Sequence, residues 1–160
     1  MNTSTDYSGR LVDLEVLQSV SVLAPTAVSV SSVSKTPKNV TGAQKAVQRY
    51  ALVFMTTAGD VHFDTTFGTS FMRAIASGQV QNNNQLLNSF AIANSTVLQL
   101  LAAEDAKADF GNQPDDERVI NAQLTNHTVD IAHGRVLLYI TLTLASGDTT
   151  SFVLPTTVPR

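Results

Sequence analysis

Residues 135–155 read RVLLYITLTLASGDTTSFVLP, and this stretch decides the fold. Val136, Leu138, Ile140, Leu142 and Leu144 alternate with Leu137, Tyr139, Thr141 and Thr143, the two-residue period of a strand with one face buried. Ser146-Gly147-Asp148 supplies a turn, and residues 149–155 return as a further strand. Upstream, Ile120, Ala122 and Leu124 alternate with polar neighbours, and His133-Gly134 marks the turn into residue 135. Connections this short make consecutive strands antiparallel neighbours, so the C-terminal part predicts a three-stranded meander.

Ahead of it the period becomes helical. Thr41 and Gln44 have the spacing of a capping box, and Ala43, Val47, Tyr50 and Phe54 form one stripe, with Lys45, Gln48 and Arg49 largely off it. A helix over 41–57 is expected, stopped by Gly59. Residues 59–78, GDVHFDTTFGTSFMRAIASG, predict a tight structured loop and then a short helix over 69–77. The polar QVQNNNQ that follows is expected to carry no structure of its own. A second long helix is expected over 84–107, with Leu87, Phe90, Val97, Leu98 and Leu101 on one face, Asn94 interrupting it, and Gly111 and Pro114 breaking it. At the N-terminus RLVDLEVLQSVSV predicts a half-buried strand over 10–20, and residues 23–39, which could hold a short edge strand, read as an extended connector. The expected fold class is α+β, two or three helices packed on an antiparallel three- to four-stranded sheet. Residues 1–40 would form the strand and connector, and residues 41–160 the α+β domain.

Hydrophobic residues make up 43% of the chain and the net charge is -3, which argues against wholesale disorder and gives no global pull toward nucleic acid or anionic membrane. There is no cysteine, so disulfides and thiolate metal sites are excluded. The start, MNTSTDYSGR, lacks the regions of a signal peptide, and no apolar run is expected to span a bilayer. A chain assembled in a cytoplasm is the expectation.

Only 14% of residues are charged, yet Asp115, Asp116, Glu117 and Arg118 stand together where a helix hands over to a strand. Such a cluster can be catalytic, metal-binding, a solvated turn or an ion-pair contact for a partner. His62, His127 and His133 have no zinc spacing. Glu104 and Glu117 are the pair available for glycoside hydrolysis, but tryptophan is absent and nothing suggests a pocket that would hold one carboxyl protonated. No nucleophile elbow, P-loop or dinucleotide fingerprint occurs, and the basic residues are dispersed. Residue chemistry therefore points to a structural or interaction domain, with no catalytic residue, metal or cofactor.

Taken in order, these features resemble the baseplate wedge or sheath-initiator family of contractile phage tails, which is related to type VI secretion baseplate components. The residues that carry the resemblance are Thr56, Gly59-Asp60 and Phe67-Gly68 after the first helix, then Asp116-Glu117-Arg118-Val119 leading into strands. Val61 stands where the family has a basic residue, and Glu117 where it has proline. The family has carried a lysozyme-like label, which the carboxylates here do not support. The resemblance implies a structural virion protein of the tail baseplate, not an enzyme, present in multiple copies in a ring. It would be assembled in the host cytoplasm and would link the wedge to the first ring of sheath or tube subunits. Asp116, Glu117 and Arg118 would contact other wedge proteins, unless Asp116 and Arg118 pair within the domain. A meander leaves two edges, and Thr149, Thr150, Ser151, Phe152, Val153 and Leu154 carry no lysine, so they are expected to accept a sheath strand. The N-terminal strand covering that edge is the alternative. A cell-wall hydrolase, or a tail-completion or connector protein of a non-contractile tail, are the other functional readings.

Overall fold

The computed structural model describes residues 13–14, 17–20, 27–30, 39–107, 113–130 and 134–157. In chain order these form β1 (Asp13–Leu14), β2 (Leu17–Val20), β3 (Ala27–Val30), β4 (Asn39–Val40), α1 (Gly42–Met55), α2 (Phe71–Ala76) and α3 (Asn83–Asp105). Then follow β5 (Val119–Asp130), β6 (Arg135–Leu144) and β7 (Thr149–Thr157). The expected breaker at Gly111, the turn residue His133 and most of the 23–39 connector lie outside the described residues.

The fold is α+β, and it contains the expected antiparallel meander β5-β6-β7. β6 alternates as its sequence dictates: Val136, Leu138, Ile140, Leu142 and Leu144 all lie in the core. Phe152 and Leu154 of β7 join them there. β5 departs from its expected alternation. Register shifts between Val119 and Asn121 and between Leu124 and Asn126 each place an extra residue on β5. The first bulge turns Val119 into the core and leaves Ile120 57% exposed.

Two further strands extend the sheet to the order β2-β3-β7-β6-β5. β3 runs parallel to β7, with Ala27 opposite Val153, and β2 pairs antiparallel to β3. The connector thus contributes a strand to the domain's own sheet, and a boundary at residue 40 does not separate the two. The single strand expected over 10–20 is divided: β1 pairs with β4 in a small separate sheet, while β2 belongs to the large one.

The helices cover one sheet face. Phe54 is the aromatic centre, 5.9 Å from the Tyr50 ring, 4.8 Å from Phe71 and 5.5 Å from Phe90. On α3 the buried face is Leu86, Phe90, Ala93, Val97 and Leu101, whereas Leu87 of the expected stripe is 40% exposed. The expectation that no run could span a bilayer is corrected: α3 is long and apolar enough to cross one by length and composition, with a mean hydropathy of 1.4. In this fold its buried face packs in the core.

Helix capping is also rearranged. Thr41 makes no side-chain cap bond. The cap forms instead in the stretch read as structureless, where Asn82 Oδ1 accepts from the Gln85 N–H at 2.9 Å and Gln85 Oε1 accepts from the Gln81 N–H at 2.8 Å.

Candidate functional site

The acidic cluster forms a tight turn between α3 and β5. The Glu117 N–H donates to Pro114 O at 2.9 Å, which closes the turn. The turn is fastened to the β6–β7 connection by Ala145 N–H donating to Arg118 O at 2.9 Å and Ser146 N–H donating to Asp115 O at 3.0 Å. Its side chains then point in opposite senses, and this separates their roles.

Glu117 points inward and has no solvent exposure. Its Oε1 accepts the Gly42 N–H at 3.0 Å, and its Oε2 accepts from Lys45 Nζ at 2.8 Å. The carboxylate therefore occupies the N-terminus of α1, where unpaired amide groups and the helix dipole both favour an anion. This is why Thr41 is not needed as a cap. Arg49, one turn beyond Lys45, donates through Nη1 to Glu117 O at 3.3 Å. Its Nη2 reaches Glu104 Oε2 at 3.0 Å and Asp105 Oδ1 at 2.6 Å at the end of α3. Burial alone would lower the Arg49 pKa, but the hydrogen bonds and charges of Asp105 and Glu104 outweigh it and hold the guanidinium above its usual value.

Lys45, Gln48 and Arg49, read as lying off the buried stripe, are only 2%, 4% and 8% exposed. The reason is the network itself: α1 is buried on its polar side against charged partners as well as on its apolar side. Asn94, which interrupts the apolar face of α3, has a similar part. It accepts from Tyr50 OH at 2.8 Å and donates to Ala122 O at 2.9 Å, tying α1, α3 and β5 together. Burial raises the pKa of the Tyr50 phenol well above its ordinary value.

Arg118 faces water and pairs with Asp115, not Asp116, at 3.1 Å, their side chains 45% and 67% exposed. The strand begins only at Val119, so Asp116 and Arg118 lie on the turn and not on a strand face. Glu117 is likewise corrected from a partner contact to an internal residue, because no part of it is accessible. Asp116 is half-buried. Arg118 and Asp115 also line a groove of about 820 Å³, together with Leu98 and Ala102 of α3 and Ile120 of β5.

The expected open edge at Thr149–Leu154 needs a second correction. β3 lies along β7, so this side of the meander already carries a strand. Phe152, Val153 and Leu154 are 3%, 4% and 0% exposed, while Thr149 and Ser151 face solvent and Thr150 is half-buried. Among the described residues the sheet ends at β5 instead, and no strand lies on its outer side.

The stretch Thr56–Gly68 is brought together as a closed loop. Thr69 N–H donates to Thr56 O at 2.8 Å and Ala58 N–H to Thr69 O at 3.0 Å. Gly68 has φ +105°, and a Cβ there would lie 2.5 Å from the Thr56 carbonyl oxygen. Only glycine fits this approach.

Glu104 and Glu117, the pair weighed as glycosidase carboxyls, are taken up by Arg49 and Lys45, and Glu117 cannot reach a substrate. Among the described residues no group of three or more His, Asp or Glu side chains could hold a metal ion. Compared with protein-family models, with curated proteins and with solved structures, this chain matches none.

Proposed function

We propose that this chain is a structural virion protein of a phage tail baseplate, linking the wedge to the first ring of sheath or tube subunits by protein–protein contacts. The observation that carries the reading is what the resemblance-bearing residues do in the fold. Gly68 closes a loop against Thr56, and Glu117 caps α1 from 75 residues away, so both stretches serve to hold a rigid body together. On the same turn as Glu117, the Asp115–Arg118 pair faces outward from that rigid base. Arg118 can leave a weak surface pair and grip a partner carboxylate by two parallel hydrogen bonds. In this reading the turn meets other wedge proteins, and the outer side of β5 receives the sheath or tube strand in place of β7. Copies stand in a ring, assembled in the host cytoplasm.

Gold-labelled antibody against the chain tests this on purified particles. Label confined to the baseplate end of the tail is the expected result. Label on heads, or particles that contain none of the chain, would refute it.

A further inference from the structure

The loop between α1 and α2 is braced from base to tip. At the base, Arg73 Nη2 donates to Ala58 O at 3.1 Å, beside the Thr56–Thr69 and Ala58–Thr69 bonds. Further out, Asp60 N–H donates to Thr57 O, Asp64 N–H to Val61 O, and Phe67 N–H to Asp64 O, all within 3.2 Å. Asp64 Oδ1 also accepts from the Thr66 N–H at 3.0 Å and from Thr66 Oγ1 at 2.6 Å. A loop with this many internal bonds holds its tip in one place.

That tip is Phe63, 95% exposed. Four residues on, Phe67 is turned inward and packs against the core. Folding gives no reason for the outward ring, since it buries almost nothing in this molecule. A pre-positioned aromatic ring loses little conformational freedom on docking, and such residues dominate the energetics of protein contacts. Asp60 and Asp64 flank it in sequence. The bonds from the Thr66 hydroxyl and amide hold the Asp64 carboxyl below its usual range, so it is charged at neutral pH.

Resting on the baseplate reading, we propose that Phe63 is an aromatic anchor that inserts into an apolar socket rimmed by basic side chains on a neighbouring baseplate protein. The ring fills the socket, and the acidic flanks select the sign of its rim. The glycines and hydrogen bonds at the loop's base then have a purpose beyond closing the loop, which is to fix the anchor's position.

Free baseplates accumulated in cells infected by a phage lacking this chain's coding sequence are the probe, titrated with the full-length wild type and with Phe63→Ser and Phe63→Leu. Wild type should bind, and Phe63→Ser should bind at least about 30-fold more weakly, the loss expected of a hot-spot anchor. Its melting temperature should be unchanged, and Phe63→Leu should keep part of the affinity. Equal binding by Phe63→Ser overturns the anchor and leaves the baseplate reading standing. If the wild type itself does not bind these baseplates, the baseplate reading fails and the anchor falls with it. Binding of the wild type to phosphatidylcholine vesicles that is lost in Phe63→Ser would assign the ring to a bilayer and overturn the protein socket.

Discussion

Lys45 Nζ lies 2.8 Å from Glu117 Oε2, between residues 72 apart in the chain, with side-chain exposures of 3% and 0%. The same carboxylate closes the N-terminus of α1 through the Gly42 N–H. One side chain on the turn before β5 thus caps the first helix and neutralises a lysine that the helix itself buries. Removing two charges from water costs several kcal/mol per ion, and the arrangement survives only because each polar atom finds a partner.

Glu117→Ala should therefore cost about 3–5 kcal/mol in urea unfolding, because it removes the carboxylate that the buried Lys45 ammonium and the Gly42 N–H both use. Lys45→Met combined with Glu117→Gln should recover much of that loss, since the buried cation is gone and the amide can still accept from Gly42. A loss under about 1 kcal/mol for Glu117→Ala would mean that water reaches the site.

Arg118→Ala should behave in the opposite way. Its pair with Asp115 is exposed and worth at most about 1 kcal/mol, so the isolated protein should unfold at nearly the same denaturant concentration. Tail assembly by the variant should nevertheless fail. A stability loss above about 3 kcal/mol would show that the residue serves the fold.

Gly68→Ala should cost at least about 2 kcal/mol, combining a left-handed backbone with a clash on the Thr56 carbonyl oxygen. Gly59→Ala separates the two effects. It has φ +93° but open space around the added methyl, so its cost should be only about 1–2 kcal/mol. Equal costs for the two variants would refute the close approach at Gly68.

The buried Tyr50 phenol makes stability fall at high pH. Its folded pKa is raised by burial, so its contribution is complete below the unfolded value near 10 and is lost progressively as pH rises toward the folded one. Part of the tyrosinate absorbance should therefore appear only together with loss of helical circular dichroism. Tyr50→Phe should remove that part and, by breaking the bond to Asn94, lower stability at neutral pH by about 1 kcal/mol. Ionisation of Tyr50 in a fully helical protein would contradict this.

The meander was legible because β6 has one strict apolar face, and Val136 through Leu144 could be buried only one way. β5 was less legible, since a bulge moves Val119 inward and Ile120 outward, and one extra residue leaves no mark in an alternating pattern. The charged network was hidden for a different reason. Lys45 and Arg49 read as the solvent side of a helix, and partners from residues 104, 105 and 117, distant in sequence, help make their burial tolerable. The i, i+4 spacing of two cations beside an isolated acidic turn was the available signal. Likewise, the strand within residues 27–30 is too short and too rich in serine and valine to announce itself, and it is β7 that defines it.

The central claim is that this chain builds a tail. Electron microscopy of particles produced after deletion of its coding sequence tests that most directly, with the wild-type chain supplied in trans as the control. The account predicts filled heads without sheathed tails, restored to complete particles by the wild-type chain. Complete tails of normal length in the deletion strain would contradict it.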